Sequence, residues 1–193
     1  MINKIVIAML LFAGLQMNSA TAQDVKKAEE VSYNPNAKAD TAKRSINSAA
    51  VGKIGAANIT INYHSPGVRG RTIWGGLVPY NDVWVTGANY ATSMEVDKDF
   101  TVAGIAIPKG KYAIFTIPGK DEWIIIINKN WNQHLTDDYL EKEDVVRMKV
   151  KPIEQKQITE RLQYFIEDGK NGNGKIAMAW ELLRIEFNLT SKK

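Results

Sequence analysis

Most of the side chains that could do chemistry fall in one stretch, residues 63–92, which read YHSPGVRGRTIWGGLVPYNDVWVTGANYAT. His64 could act as a general base or a metal ligand. It also reads as a surface histidine at the end of a strand. The second reading is favoured, because neither His64 nor His134 has a partner at ligand spacing. Arg69 and Arg71 are two apart and share a face in extended chain, so their guanidinium forks could grip a carboxylate, sulfate or phosphate. Alternatively one of them pairs internally, with Asp82 or Glu95 for instance, and pins the loop. Trp74, Tyr80, Trp84 and Trp123 offer flat faces on which sugar rings stack, yet such large apolar side chains also pack into cores. Trp123 heads an isoleucine run and belongs to the core on that ground. Asn89 adds a polar group near the end of the stretch. Any binding surface is therefore expected from His64, Arg69, Arg71, Trp74, Tyr80, Trp84 and Asn89, because rigid strands support the loops that carry function.

Several chemistries lack their signatures. Gly75-Gly76, Gly87 and Gly110 suit tight turns, and none matches a phosphate-binding loop leading into a helix. There is no G-x-S-x-G elbow, H-E-x-x-H pair or EF-hand loop. The acids Asp137, Asp138, Glu141, Glu143 and Asp144 read as a solvated rim, since calcium-loop spacing is missing. With no cysteine, disulfides, thiolate metal sites and thiol nucleophiles are excluded. No catalytic residue, metal site or cofactor is expected.

The elements that must hold this stretch are strands. Ile59, Ile61 and Tyr63 alternate with Thr60, Asn62 and His64, a period of two that an amphipathic helix cannot produce. Val146 to Lys151 and Leu183 to Thr190 alternate in the same way. Trp123 to Ile127 is apolar on both faces, which fits a central strand covered on both sides, the second cover being a loop of the Gly-rich stretch. Pro118-Gly119-Lys120-Asp121 and the DGKNGNG run from Asp168 to Gly174 predict hairpins. Further turns fall at Ala103-Gly104 and Pro108-Lys109-Gly110. Nine to eleven short strands follow from this spacing, which predicts an all-β protein: an antiparallel β-sandwich, jelly-roll-like, with a long Gly/Trp-rich loop. At most one short helix is expected, from Thr136 to about Lys142, where Thr136, Asp137 and Asp138 suit a helix start.

The N-terminus predicts export. Lys4 precedes the apolar run Ile5 to Leu15, and Ala20-Thr21-Ala22 gives the small-x-small pattern of a signal peptidase site. That run is too short for a membrane anchor, which needs about 20 residues. Residues 1–22 are thus read as a signal peptide, 23–47 as a flexible leader and 48–190 as one β domain, periplasmic or secreted. The formal net charge of +4 is small and its basic residues are interleaved with acidic ones, so a nucleic-acid partner is not expected. The 45% hydrophobic content suffices for a core without disulfides.

Four strings of this chain carry a family resemblance: Tyr63 to Tyr80, Val83 to Thr92, Pro108 to Gly119 and Glu122 to Asn128. On them the chain resembles the bacterial family called domain of unknown function 2911, from about Gly52 to Leu189. The resemblance implies an exported β-rich domain and assigns no activity. Against the family strings, His64 stands in place of Ser, Val85 of Arg, Tyr90 of Glu and Lys109 of Ala. A mechanism needing that Arg and Glu has no basis here. Two classes of function remain. One is a non-catalytic binding or accessory module for a glycan or small anionic ligand. The other is an extracytoplasmic hydrolase using His64 with a nearby carboxylate. A structural, homo-oligomeric role for the aromatic loop is a third reading. The first two differ in one respect: the enzyme needs His64, an acid and Arg69 or Arg71 around a single pocket.

Overall fold

The computed structural model describes residues 44–191. The expected signal peptide, and the expected leader up to residue 43, lie outside the described residues. Ten strands follow in chain order. They are β1 (Ser45–Ile54), β2 (Ala57–Pro66), β3 (Thr92–Val96), β4 (Phe100–Val102) and β5 (Ile105–Ile107). Then come β6 (Gly110–Ile117), β7 (Trp123–Asn128), β8 (Asp144–Val150), β9 (Ile153–Asp168) and β10 (Asn173–Thr190). All pairings are antiparallel and make two sheets, β1-β2-β3-β6-β7-β8 and β5-β4-β10-β9. This is the expected all-β antiparallel sandwich. Its winding is a meander in the larger sheet, interrupted once by the β4–β5 excursion into the smaller one.

Alternation puts the core between the layers. Ile59, Ile61, Met94, Val96, Ile114, Ile125, Ile127 and Val146 of the larger sheet meet Phe100, Val102, Leu162, Tyr164, Ile176, Met178 and Leu189 of the smaller. The layers also join at one edge. Beyond β2 the chain turns onto β9: Gly67 bridges to Arg161, the Val68 amide donates to the Glu160 carbonyl at 2.7 Å, and the Ser65 hydroxyl donates to the Leu162 carbonyl at 2.7 Å.

Strand β7 is covered on both faces, as its sequence requires. Ile125 and Ile127 enter the main core, while Ile126 and Phe115 face outward into a second one. Val85 and Ala91, with the partly buried Val83 and Tyr139, roof that second core. The roof covers the sheet over β6 and β7 and stops short of the floor offered by β1 and β2.

One expectation is corrected. Strand β1 begins at Ser45, so Ser45, Ile46 and Asn47 are strand and not leader; their pairing with Pro66, Ser65 and His64 satisfies the backbone that a leader would leave to water. The segment that could have held the one short helix, Thr136 to about Lys142, forms turns and one 3-10 turn at Glu141–Glu143. Side chains compete with the helix for its backbone. Asn130 donates to the Asp138 carbonyl at 3.1 Å, and the Asp138 amide donates to the Gln133 side chain at 3.2 Å. The 3-10 turn buries no residue, so packing does not favour a longer helix.

Candidate functional site

The long stretch after β2 is ordered by its own side chains, and most of its candidate groups are spent doing so. Arg71 does pin the loop, though through carbonyls rather than Asp82 or Glu95. Its Nη2 donates to the Gly67 carbonyl at 2.6 Å and its Nε to that of Val68 at 3.2 Å. Arg69 is exposed in the following turn, with a left-handed φ of 52° and its amide capped by Glu160 at 2.9 Å. The Arg71 guanidinium is therefore committed to carbonyls of its own loop. Tyr80 packs against Gly75, whose φ is 75°; a Cβ added there would sit 2.7 Å from the Tyr80 ring. Only glycine fits.

Trp74 and Trp84 turn inward. With Trp123 of β7 and Trp180 of β10 they form a quartet whose ring centroids lie 4.8–6.4 Å apart. Trp84 also donates its indole N–H to the Gly87 carbonyl at 3.1 Å. Both are partly buried, and their rings pack into the quartet rather than lining the cleft. Packing wins here.

His64 has a different setting. Its face of the larger sheet is left open by the second core and forms a cleft of about 270 Å³. The floor is a small lattice set by strand register. Asn47 of β1 lies opposite His64 of β2, and Asn62 of β2 lies opposite both Ala49 and Ser93. Tyr90, Trp131 and Asn132 stand around it. Tyr90 and Trp131 are 57% and 36% exposed, which for rings of this size marks them as surface features of the cleft. Among the described residues, no carboxylate, lysine or arginine lines it.

The walls are held from behind. Segments 89–91 and 133–135 zip together: the Leu135 amide donates to the Asn89 carbonyl at 2.6 Å, and the Ala91 amide to the Gln133 carbonyl at 3.0 Å. Tyr90 is thereby set between the chain's two histidines, with ring centroids 6.0 Å from His64 and 5.8 Å from His134. Asn89 itself is exposed beside the cleft and donates to the Ser45 hydroxyl at 3.2 Å. The entry to this segment is strained. Thr86 is β-branched and fully buried, yet has a φ of 51°. Its carbonyl is fixed by the hydroxyls of Thr92 and Tyr164, both at 3.0 Å. Burial pushes the Tyr164 phenol far above its ordinary value, so it stays a donor.

Of the seven candidate residues, only His64 lines the cleft, with Asn89 adjacent. Sequence reading missed Asn47, Asn62, Tyr90, Ser93, Trp131 and Asn132. Part of the signal was present: alternation puts Asn62 on the same outward face as His64, and Trp131 stands alone in the polar run NKNWNQH. Two of the departures from the family strings, His64 and Tyr90, face each other here, while Val85 lies beneath in the second core.

Burial pushes the His64 imidazole below its ordinary value of 6.5. As pH falls through that value, the unfolded chain takes the proton before the folded one does. The stability associated with neutral His64 is complete above the ordinary value and declines as pH drops toward the folded one. His64→Gln should therefore flatten the fall in Tm between about pH 7.5 and pH 5. Equal slopes in variant and wild type would show that His64 titrates like a free imidazole.

No curated protein and no solved structure matches the chain. The model of one family does, over residues 45–189, beginning with β1 and ending inside β10. The chain therefore belongs to the family described as Protein of unknown function (DUF2911).

Proposed function

We propose that this chain is an exported, non-catalytic binding module for a glycan or small anionic ligand, with the cleft over His64 as its site. The observation that carries the reading is the composition of that cleft. It joins exposed aromatic walls to hydrogen-bonding side chains, the usual make-up of a small-molecule site. The hydrolase reading is disfavoured by the same lining, since His64 has no acid beside it to orient or share a proton, and Arg69 and Arg71 lie elsewhere in the loop. His134 does meet an acid, Asp137 at 2.9 Å, but on the exposed outer loop.

Export rests on residues 1–22 and is tested by the intact mass of the extracytoplasmic protein, which should begin at Gln23. A chain retaining Met1 there would refute it. The site is tested with whatever ligand a mixed screen of glycans and anions returns. Tyr90→Ala and Trp131→Ala should each weaken it about tenfold while leaving the far-ultraviolet circular dichroism unchanged. Wild-type affinity in both variants would place the site outside the cleft.

A further inference from the structure

We propose that the cleft takes a neutral sugar ring, held between Tyr90 and Trp131 over the Asn47–His64–Asn62–Ser93 floor, and not an anionic group. The assignment rests on the cleft being the binding site. It follows from the donors and acceptors present and from their spacing.

The floor side chains are of one kind. Asn and Ser each both donate and accept, and neutral imidazole donates from one nitrogen and accepts at the other. A sugar hydroxyl also does both, so each can be answered by such a group. An anion only accepts. It is bound best by arginine, lysine or convergent backbone amides, and among the described residues no lysine or arginine lines the cleft. Lys111, outside the lining, places its Nζ 3.9 Å from the centre of the Trp131 ring. That ammonium is committed to the indole and braces it.

The floor groups are also free to be used. Among the described residues, the side chains of Asn47, Asn62, Ser93 and Asn132 have no hydrogen-bond partner, whereas nearby Asn128, Asn130 and Gln133 are all engaged within the protein. Strand geometry sets their separations. Facing pairs lie about 5 Å apart across strands, and successive outward residues about 7 Å apart along one. Those distances span a six-membered ring with its hydroxyls. The volume of about 270 Å³ falls just under the ~300–1,000 Å³ of drug-sized pockets, which suits one ring and its substituents rather than a long chain. The aromatic walls then meet the C–H faces of the ring, as flat apolar surfaces with fixed orientation.

Trp131 provides the readout. The other four tryptophans pack together in the quartet and none of them lines the cleft, so a ligand entering it perturbs the Trp131 indole first. Cellotriose, maltotriose and triacetylchitotriose are titrated by fluorescence and by calorimetry, in parallel with sulfate, phosphate and citrate. At least one neutral saccharide should bind saturably, and Tyr90→Ala and Asn62→Ala should each weaken it about tenfold. Trp131→Phe should abolish the fluorescence change while calorimetry still detects binding, because a smaller flat ring remains. If only the anions bind, and Trp131→Ala abolishes them, the cleft stands as the site and the sugar assignment is overturned. If neither class binds in a way these variants affect, both fail together.

Discussion

Trp180→Ala is expected to destabilise the domain by about 3–5 kcal/mol, the cost of truncating a fully buried tryptophan. Trp180 is 0% exposed on β10, stacks on Trp84 at 5.8 Å and meets Trp74 edge-on at 5.7 Å. Trp123 completes the cluster from the opposite sheet. Removing one member therefore opens a void where the two layers and the long loop meet, and none of the three can close on it without moving the others. The indole N–H groups of Trp74, Trp123 and Trp180 have no hydrogen-bond acceptor. Most of the rings in this cluster are set edge-to-face, which lets such N–H groups point at neighbouring π faces. Truncation would remove those contacts as well. Trp131→Ala should cost less than about 1 kcal/mol, because that ring is a surface wall. Denaturant titration checks both: Trp180→Ala should lower the midpoint at unchanged slope, and Trp131→Ala should barely move it. A near-wild-type midpoint for Trp180→Ala would mean that the quartet is not the joint between the layers.

The second large effect is expected at Asp144, whose side chain is 5% exposed at the start of β8. One carboxylate oxygen accepts from the Asn128 amide at 2.7 Å, and the other accepts from the Tyr139 hydroxyl and Arg147 Nη1, each at 2.7 Å. Asn128 in turn donates to the Leu140 carbonyl and accepts from the Asn130 amide. Asp144 thus clamps both ends of the 129–143 loop, which carries Trp131 and Asn132. Asp144→Ala leaves the donors of the partly buried Tyr139 and the buried Asn128 without that acceptor and should cost about 2–3 kcal/mol. For a domain of this size, that lowers Tm by about 5–10 °C. Arg147 is a third exposed, so water receives the unpaired cation and the loss stays moderate. Ligand affinity should fall with stability, because Trp131 loses its support. A spectroscopic check is independent of both. Burial, and next the Asp144 carboxylate, push the Tyr139 phenol well above its ordinary 10.0; in Asp144→Ala it should titrate closer to that value. An unchanged phenol titration would show that Asp144 does not hold this loop.

How far the sequence could be read follows from how local each determinant is. The period of two in Ile59, Ile61 and Tyr63 yields a strand with one buried face whatever it packs against, and β2 has that pattern. The turn at Asp168 to Gly174 works because Asn171 and Gly172 adopt φ of 57° and 76°, which Asn and Gly accept readily. The segment after Thr136 forms turns instead of the one short helix its start signals allow, and Asn130 and Gln133, several residues upstream, take both backbone groups of Asp138. Helix-start signals say nothing about such partners.

Strand alternation, the doubly apolar β7 and the turn residues were therefore determined by the sequence itself, and with them the antiparallel sandwich. Neighbours in the chain dictate these features, and their energies are local. The roles of the side chains in residues 63–92 were decided only by the tertiary structure. An irregular segment has no period to assign its faces, so residue type favoured packing for Trp74 and Trp84 but could not say against what they would pack. Their partners are Trp123 and Trp180, distant in sequence and brought to them only by the packing of the two layers. The same holds for the cleft. Asn47, His64, Asn62 and Ser93 become one floor through cross-strand register. Tyr90 and Trp131 become its walls because two loops, joined at Asn89 and Leu135, pair with each other over the sheet. Backbone pairing between distant segments leaves no trace in either segment's composition.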